Sequence, residues 1–395
     1  MYNIPKIFYT IIPFKVVNSV ISILIILLVI SAGGGAIEVA IVSFLTVLGN
    51  LIGMLLWVRI LSSVRRCIFG YLLGYLGISL SLVIILLRIS IYSIYIHAVS
   101  ISLSSTLVYI SAVLLINKFY RYRLSEIMGL FEMIGGWAWV LGLAIGALSL
   151  RYVNPVTLIY NLLILSIATT LVISILIHSG IRIRCIPDGF SFNSIHSNSR
   201  YSVGYDESLT EVGVLNRDVV FKLSKFRASL YTAIFIEFLA FGLVYSQIVK
   251  FIHDLGYTAT IIYLISLISS IVTAFIYPAA GRVRNTARTL VIMSLIRVVM
   301  FVVLTLTIYI SGLTTLVMIV IFAVLDGYSW AYITVLLNVI ALEVSYREIG
   351  YSNVVRYIGS IIGALLSGIV ISLRGYQADF ILATTLLIIS IINIK

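Results

Sequence analysis

Five ionisable residues lie deep inside long apolar segments of the sequence, where their chemistry would be transfer of a proton or recognition of a polar solute. They are Glu132, Glu237, Arg297, Asp326 and Arg356. An ionised side chain at the middle of a bilayer costs about 2.5 to 3.5 kcal/mol on insertion scales. Each of these residues therefore needs a partner, a water-filled cavity or a function.

Glu237 and Asp326 are the acids at the greatest depth. Glu237 lies about 15 Å of helix beyond Arg227, and Asp326 lies about 20 Å from either end of its segment. Arg356 is close enough in depth to reach either acid, so it is the predicted cationic partner. Two interpretations remain open. The three residues form a buried ion pair that holds helices in register, or a carboxylate changes protonation with water access and couples a proton gradient to solute movement.

Glu132 and Arg297 have similar depths but other predicted roles. Glu132 is expected either to belong to the same pathway or to pair at the cytoplasmic interface. Arg297 follows Arg288 by about two and a half turns. We therefore expect its side chain to extend along the helix to the lipid head groups.

Hydroxyl, amide and aromatic side chains accompany these charges. Asn18 and Tyr109 represent the N-terminal half, and Tyr328, Trp330 and Asn338 the C-terminal half. Such side chains would bind an amphipathic or sugar-like organic solute by stacking and hydrogen bonding. Aromatic residues in membrane helices also serve as packing groups or interfacial anchors, and that alternative stays open.

The sequence contains no motif of hydrolytic or transfer chemistry. It has no HExxH, phosphate-binding loop, nucleophile elbow or paired acidic metal motif, so we expect no enzyme, no metal and no cofactor. Cys67 and Cys185 both fall on the predicted cytoplasmic side, where thiols stay reduced, and neither is predicted to be functional.

The elements that must position these residues are membrane helices. Of the 395 residues, 62% are hydrophobic and only 10% are charged, and the mean hydropathy is +1.18. Soluble domains carry about 25% charged residues. Runs such as Val20 to Ile30 are apolar on nearly every face, which indicates helices rather than the alternating strands of a barrel. The predicted fold is all-α and polytopic.

A polar segment at 179–228 divides the chain into an N-terminal bundle at 1–178 and a C-terminal bundle at 229–395. Each flank is long enough for six spans of roughly 20 to 27 residues. The twelve predicted spans are 12–31, 37–58, 67–87, 91–117, 125–150, 153–178, 229–250, 257–279, 289–310, 312–340, 348–372 and 376–393. The polar segment is predicted to be a cytoplasmic linker.

The formal net charge of +12 is explained by topology. With the N-terminus in the cytoplasm, most of the Lys and Arg residues fall in cytoplasmic loops, as the positive-inside rule requires. The sequence therefore predicts a multi-pass protein of the cell membrane with both termini in the cytoplasm, and it argues against a surface for nucleic acid.

The segment between the second and third spans carries a partial signature. Gly53 is followed by Arg59, Arg65 and Arg66, and Trp57 stands at the position between them that would be acidic. This pattern resembles the cytoplasmic signature of the major facilitator superfamily. The whole chain resembles a divergent, prokaryotic member of that family.

The second half of the chain repeats this spacing of glycine and arginine residues. The corresponding loop contains Gly281, Arg282 and Arg288, and an offset of about 223 residues superposes its arginines on those of the first half. In the family, such loops act as conformational switches between two six-helix halves.

The resemblance implies a secondary transporter that works as a monomer by alternating access, with a small organic solute bound at mid-bilayer. It places Glu237 and Asp326 in the central cavity, and a proton would be a second substrate. Gly142 and Gly146 approach the fifth-helix pattern of the family's exporters, although they are equally explained by helix contacts. The alternative is a non-transporting receptor or scaffold on this fold, because Trp57 replaces the acid and the exporters' Pro is missing.

Overall fold

The computed structural model describes residues 9–61, 63–119, 124–178, 217–280, 282–283, 286–344 and 346–394. These residues form eleven helices and no strand. The helices are α1 (Ile11–Ser31), α2 (Ala36–Ile60), α3 (Val64–Leu87), α4 (Ile91–Phe119), α5 (Leu124–Tyr152), α6 (Pro155–His178), α7 (Arg217–Asp254), α8 (Ala259–Ala280), α9 (Thr286–Leu306), α10 (Leu313–Val344) and α11 (Tyr346–Ile394).

All eleven helices are long and apolar enough to cross a membrane. The predicted all-helical, polytopic architecture is therefore confirmed. The predicted linker lies outside the described residues at 179–216, and residues 217–228 form the first turns of α7. Gly281 also lies outside them.

The last element, α11, is a continuous helical segment that a sharp bend at Gly375 divides into two arms. Gly375 has φ 78° and ψ 176°, which interrupts the helix in a conformation that favours glycine. The first arm packs on α7 at Gly359, beside Phe235. After Gly375 the second arm returns, and Ser390 donates a hydrogen bond to the Ala233 carbonyl at 2.9 Å. The two arms therefore form an antiparallel hairpin along α7.

Local sequence explains where several helices begin. The Ser63 hydroxyl accepts a hydrogen bond from the Arg66 amide at the start of α3. At the start of α6, Asn154 accepts from the Thr157 amide at 2.8 Å, and Pro155 takes the first helical position. Side chains that accept from these amides satisfy donors that have no intrahelical partner.

The buried side chains fall into two clusters. One contains residues of α1 to α6, such as Tyr71 and Leu82, and is joined at its edge by Val249. The other contains residues of α7 to α11, such as Phe301 and Phe380, with a few contributed by α1 and α5. The N-terminal half (α1–α6) and the C-terminal half (α7–α11) thus each have a core.

The two halves meet closely at the end of the molecule that carries the α1–α2 turn, which we call the α1–α2 end. Gln247 donates to the Ala36 carbonyl at 2.8 Å. Ser43 donates to the Ser246 carbonyl at 3.3 Å. Gly368 approaches α2 so closely that an added Cβ would overlap Ala40. Few and short side chains hold this contact, as close helix packing in a membrane requires.

Close backbone contact between α7 and α11 predicts that Gly363→Ala destabilises the protein. An added Cβ would overlap the Leu239 carbonyl oxygen and lie 2.9 Å from the Gly242 Cα. Because these are backbone atoms, the two helices must separate, and we expect the free energy of unfolding to fall by about 1 to 3 kcal/mol. The melting temperature in detergent measures this effect.

Gly136→Ala in α5 is the matched control, since an added Cβ there meets nothing within 4 Å. That variant should melt at or slightly above the wild-type temperature, because Ala favours helix by up to about 1 kcal/mol over Gly. Equal melting of both variants would contradict the proposed contact.

Candidate functional site

The centre of the C-terminal half holds an ion pair between a buried arginine and a half-buried carboxylate. The Arg297 guanidinium of α9 lies 3.2 Å from Oδ1 of Asp326 in α10. The Tyr245 hydroxyl of α7 donates to the same carboxylate oxygen and accepts from Arg297 at 2.7 Å. Ser269 of α8 donates to Oδ2 of Asp326 at 2.7 Å. Three helices thus supply hydrogen bonds to one carboxylate on a fourth, which offsets the cost of burying its charge.

Arg297 is also enclosed by aromatic rings. Its guanidinium carbon lies 4.1 Å from the ring centre of Phe241, 5.3 Å from that of Trp330 and 5.5 Å from that of Tyr245. The residue is 0% exposed. The prediction that Arg297 extends to the head groups is therefore wrong. The guanidinium is bound by a carboxylate and by ring faces, which attract cations, and it has no need to reach the interface.

Glu237 of α7 lies beside this pair and is 1% exposed. Its Oε1 accepts a hydrogen bond from Ser294 of α9 at 3.0 Å. Its Oε2 has no hydrogen-bond partner in the part of the chain that the structure describes. Arg297 and Arg356 both lie within electrostatic range of the carboxyl group. Glu237 is thus a buried acid between two cations with one oxygen available.

Arg356 of α11 lies within electrostatic range of Glu237 but does not pair with Asp326, so the prediction is wrong for Asp326 alone. Asp326 is already bound by Arg297. Nη1 of Arg356 donates instead to two amide oxygens, that of Asn338 at 3.0 Å and that of Asn353 at 3.2 Å. Residues at equal depth on different helices need not face one another, and the sequence gives depth alone.

The N-terminal half contributes a second polar group. The Tyr109 hydroxyl of α4 donates to Glu132 of α5 at 2.6 Å. The Lys15 amine of α1 lies 5.5 Å from the Tyr109 ring centre. One turn further along these helices, Ser105 donates to the Asn18 side chain at 2.7 Å. The structure therefore brings Asn18, Tyr109 and Glu132 together, and Glu132 pairs within the helices rather than at their ends.

The two polar groups approach each other between the halves. Tyr277 of α8 and Tyr357 of α11 both lie within electrostatic range of Tyr109. Tyr357 follows Arg356 directly and also interacts with it electrostatically. The groups around Tyr109 and around Arg356 therefore flank one region where the N-terminal and C-terminal halves face each other.

The remaining predicted aromatic and amide residues lie around these groups. Trp330 covers Arg297, whereas Tyr328 packs on Tyr332 with ring centres 5.2 Å apart. Asn338 is exposed. Trp330 and Asn338 thus each contact an arginine, whereas Tyr328 packs against a neighbouring ring.

Two further charged residues that lie inside helices, Lys15 and Asp379, were not singled out by the sequence analysis. Lys15 lies three residues after the start of the predicted span 12–31, where a charge needs no partner inside the membrane. Asp379 is 0% exposed, with Oδ2 3.4 Å from the Ser367 hydroxyl and Oδ1 unpartnered among the described residues. It lies four residues after Gly375 and close to the start of the predicted span 376–393, where an acid needs no partner inside the membrane.

The segment from Gly53 to Arg66, which carries the partial family signature, contacts α4 through uncharged residues. Gly53 faces α4, where an added Cβ would lie 3.0 Å from the Thr106 Cβ. The Trp57 indole donates to the Leu103 carbonyl of α4 at 3.0 Å. An uncharged hydrogen bond thus joins α2 to α4 where the family carries its acid. Most of the loop arginines are exposed, and these are Arg59, Arg65, Arg66, Arg282 and Arg288.

The fifth-helix glycines are accounted for by helix contacts. An added Cβ at Gly142 would overlap Ser19 of α1, and one at Gly146 would overlap the Tyr263 ring of α8. The Tyr263 hydroxyl in turn donates to the Val20 carbonyl at 2.5 Å. These glycines let α1, α5 and α8 meet, which is the packing explanation left open by the sequence.

Because Asp326 depends on Arg297 for its charge balance, Arg297→Gln is expected to destabilise the protein strongly. Removing one partner of a buried pair costs about 3 to 5 kcal/mol, since the other charge is left unpaired. Adding Asp326→Asn to Arg297→Gln should restore part of the melting temperature. Arg374→Gln is the control, because Arg374 is exposed on α11. A wild-type melting temperature for Arg297→Gln would refute the central role of this pair.

No group of three or more metal-binding side chains occurs among the described residues. No family model and no curated protein matches the sequence. The structure is similar to a mutant of nucleoside transporter NupG, with 12% identity, a TM-score of 0.67 and coverage of 98% of both chains. It is similar to the human organic anion transporter MFSD10 (TETRAN), with 14% identity, a TM-score of 0.61 and 98% coverage of both chains.

Nucleoside transporter NupG without the mutation is similar as well, with 13% identity, a TM-score of 0.61 and coverage of 98% of this chain and 95% of that one. At such low identity the likeness concerns the fold. The predicted resemblance to the major facilitator superfamily is confirmed at that level alone: the chain shares the fold of these solved transporters.

Proposed function

We propose that this protein is a secondary transporter that moves a small organic solute across the cell membrane by alternating access. The observation that carries the proposal is the asymmetry of contact between the halves. Ala36 and Gln247 join them at the α1–α2 end, whereas charged groups of both halves face each other away from it. Each ionisable group inside a membrane raises the free energy of the folded protein, so groups that face one another there are interpreted as a functional site.

The proposal includes a definite topology. The two arms of α11 are separate crossings, which makes twelve, with six in each of the units 1–178 and 229–395 and a cytoplasmic linker at 179–228. Both termini lie in the cytoplasm, and the protein acts as a monomer. In this orientation the α1–α2 end faces outward, so the present conformation is closed to the outside.

The names of similar structures support a transported organic solute. Two are nucleoside transporters and one is an organic anion transporter. Proton coupling belongs to the proposal because Glu237 is a buried acid with one unpartnered oxygen. A carboxyl group between Arg297 and Arg356 changes its proton occupancy when the arrangement of those cations or its access to water changes.

A receptor or scaffold without transport is the second candidate. The observation that favours it is the Trp57 indole, which replaces a switch acid with a fixed hydrogen bond to Leu103. A protein of that kind would keep the α1–α2 end permanently closed, and accessibility measurements separate the two candidates.

Alternating access predicts that Ser246→Cys becomes accessible to water. Ser246 is 7% exposed, and its carbonyl is bound by Ser43 of the opposite half. In a background of Cys67→Ala and Cys185→Ala, we expect a membrane-impermeant maleimide to label Ser246→Cys slowly from outside. Tyr109→Cys should be labelled from the cytoplasmic side, because Tyr109 interacts electrostatically with Tyr277 and Tyr357 of the opposite half, where the proposed pathway runs.

Leu304→Cys is the control for general opening, since Leu304 is 0% exposed inside the C-terminal core. It should resist the reagent throughout. Absence of label on Ser246→Cys from either face, with Tyr109→Cys still reactive, would favour the receptor or scaffold.

Proton coupling predicts that the rate of Ser246→Cys labelling depends on pH. If one proton binds the two conformations differently, their ratio changes by at most about tenfold per pH unit. The rate must be divided by that of the exposed Leu373→Cys, which corrects for thiol ionisation. The Glu237→Gln variant should lose the dependence, and Asp326→Asn tests the other acid. A corrected rate that follows pH equally in the wild type and in both variants would exclude these acids as the coupling site.

A further inference from the structure

Arg356 presents an unused pair of hydrogen-bond donors. The residue is 8% exposed, yet Nε and Nη2 have no hydrogen-bond partner among the residues that the structure describes. Nη1 is fixed by Asn338 and Asn353. Burying the N–H donors of a charged group without hydrogen-bond acceptors is costly in free energy. Such a group in a membrane interior is expected to have an acceptor at some stage of its function.

The two free donors lie on the same edge of the guanidinium. Nε–H and one Nη2–H point in parallel, and this edge binds the two oxygens of a carboxylate or phosphate with matched geometry. The two asparagine oxygens bind the other side and are neutral. They orient the guanidinium without neutralising it. The free edge is therefore prepared for an anionic group.

The two acids nearest Arg356 among the side chains that the structure describes do not fill this edge. Asp326 is bound by Arg297, Tyr245 and Ser269. Glu237 lies within electrostatic range of Arg356 but makes its hydrogen bond with Ser294. The arginine thus keeps its donors available while a nearby acid balances its charge.

The surroundings suit an organic rather than an inorganic anion. The Arg356 guanidinium lies 5.6 Å from the Phe238 ring centre, and the Phe238 and Trp330 rings lie 6.3 Å apart. Tyr357 also interacts electrostatically with Tyr109 of the N-terminal half. The Lys15 amine, which lies over the Tyr109 ring, is a second cation there. Aromatic faces and two cations offer contacts to both ends of a small organic anion.

We propose that the transported solute is a small organic anion whose carboxylate or phosphate is bound by Nε and Nη2 of Arg356. This inference rests on the proposed function and names its substrate class. It further implies that the anion and a proton bind together. An ionised Glu237 repels a second negative charge beside Arg356, whereas a protonated Glu237 leaves the cation to the substrate.

The groups that face Glu237 define this pH dependence. They are Arg297 of α9, Arg356 of α11 and the neutral Ser294 hydroxyl of α9, with Asp326 of α10 on the far side of Arg297. With Asp326 neutralised by Arg297, the carboxyl of Glu237 determines whether the site carries an uncompensated positive charge. Anion affinity should therefore fall as pH rises.

Binding of matched anionic and neutral compounds tests the proposal on the purified full-length protein. The probes are benzoate against benzamide, gluconate against glucose, and uridine 5′-monophosphate against uridine. We expect at least one anion to raise the melting temperature while its neutral counterpart has little effect. Arg356→Gln should weaken that anion roughly 10- to 100-fold, as expected for a charged, bidentate hydrogen bond.

Three further variants keep the test decisive. Arg356→Lys retains the charge without the paired donors and should bind with intermediate affinity even if Arg356→Gln folds poorly. Glu237→Gln should bind the anion with an affinity that does not change with pH, whereas wild-type affinity falls as pH rises and Glu237 ionises. Arg374→Gln, exposed on the same α11, should bind like the wild type.

Two results would overturn the inference. One is that no anion stabilises the protein, or that each neutral compound stabilises it as well as its anion. The other is that Arg356→Gln and Arg356→Lys both keep wild-type affinity. If Ser246→Cys and Tyr109→Cys nevertheless react from opposite faces, the transporter proposal stands and the substrate class alone is wrong. If they do not, both proposals fail.

Discussion

The structure depends on keeping ionised groups in an apolar interior without leaving them unpaired. Arg297 and Asp326 achieve this through four helices and three aromatic rings. In water such a pair would contribute little, because solvent already stabilises both charges. In a bilayer no solvent replaces a lost partner, so the positions of α7, α8, α9 and α10 are tied to one carboxylate.

The N-terminal half is held differently. Its helices meet through small residues and short hydroxyl contacts, such as Gly53 against Thr106 and Gly142 against Ser19. Association in lipid depends on such close packing, since the hydrophobic effect does not distinguish another helix from a lipid tail. The Tyr109–Glu132 pair adds one strong hydrogen bond beside Lys15. Close helix packing and one hydrogen-bonded acid thus hold this half, whereas an ion pair links the helices of the other.

The halves are joined by several short contacts. Gln247 and Ser43 each donate to a backbone carbonyl of the opposite half, and Gly368 allows α2 and α11 to touch. Tyr263 of α8 donates to the Val20 carbonyl of α1, and Gly146 of α5 lies against the Tyr263 ring. Hydrogen bonds to neutral carbonyls contribute about 0.5 to 1.5 kcal/mol each. The proposed rocking motion would break contacts between the halves, whereas the Arg297–Asp326 network lies within one half.

The sequence by itself determined the membrane class, the helical architecture and the depth of each charge, because composition and a rise of 1.5 Å per residue are properties of the chain alone. It identified Glu237, Asp326 and Glu132 as acids that need an explanation. Only the tertiary structure decided that Arg297, and not Arg356, neutralises Asp326. A soluble helix reveals its buried face by its polar side, but these helices are apolar all round. Depth can be counted along the chain, whereas the direction in which a side chain points depends on which helices pack around it.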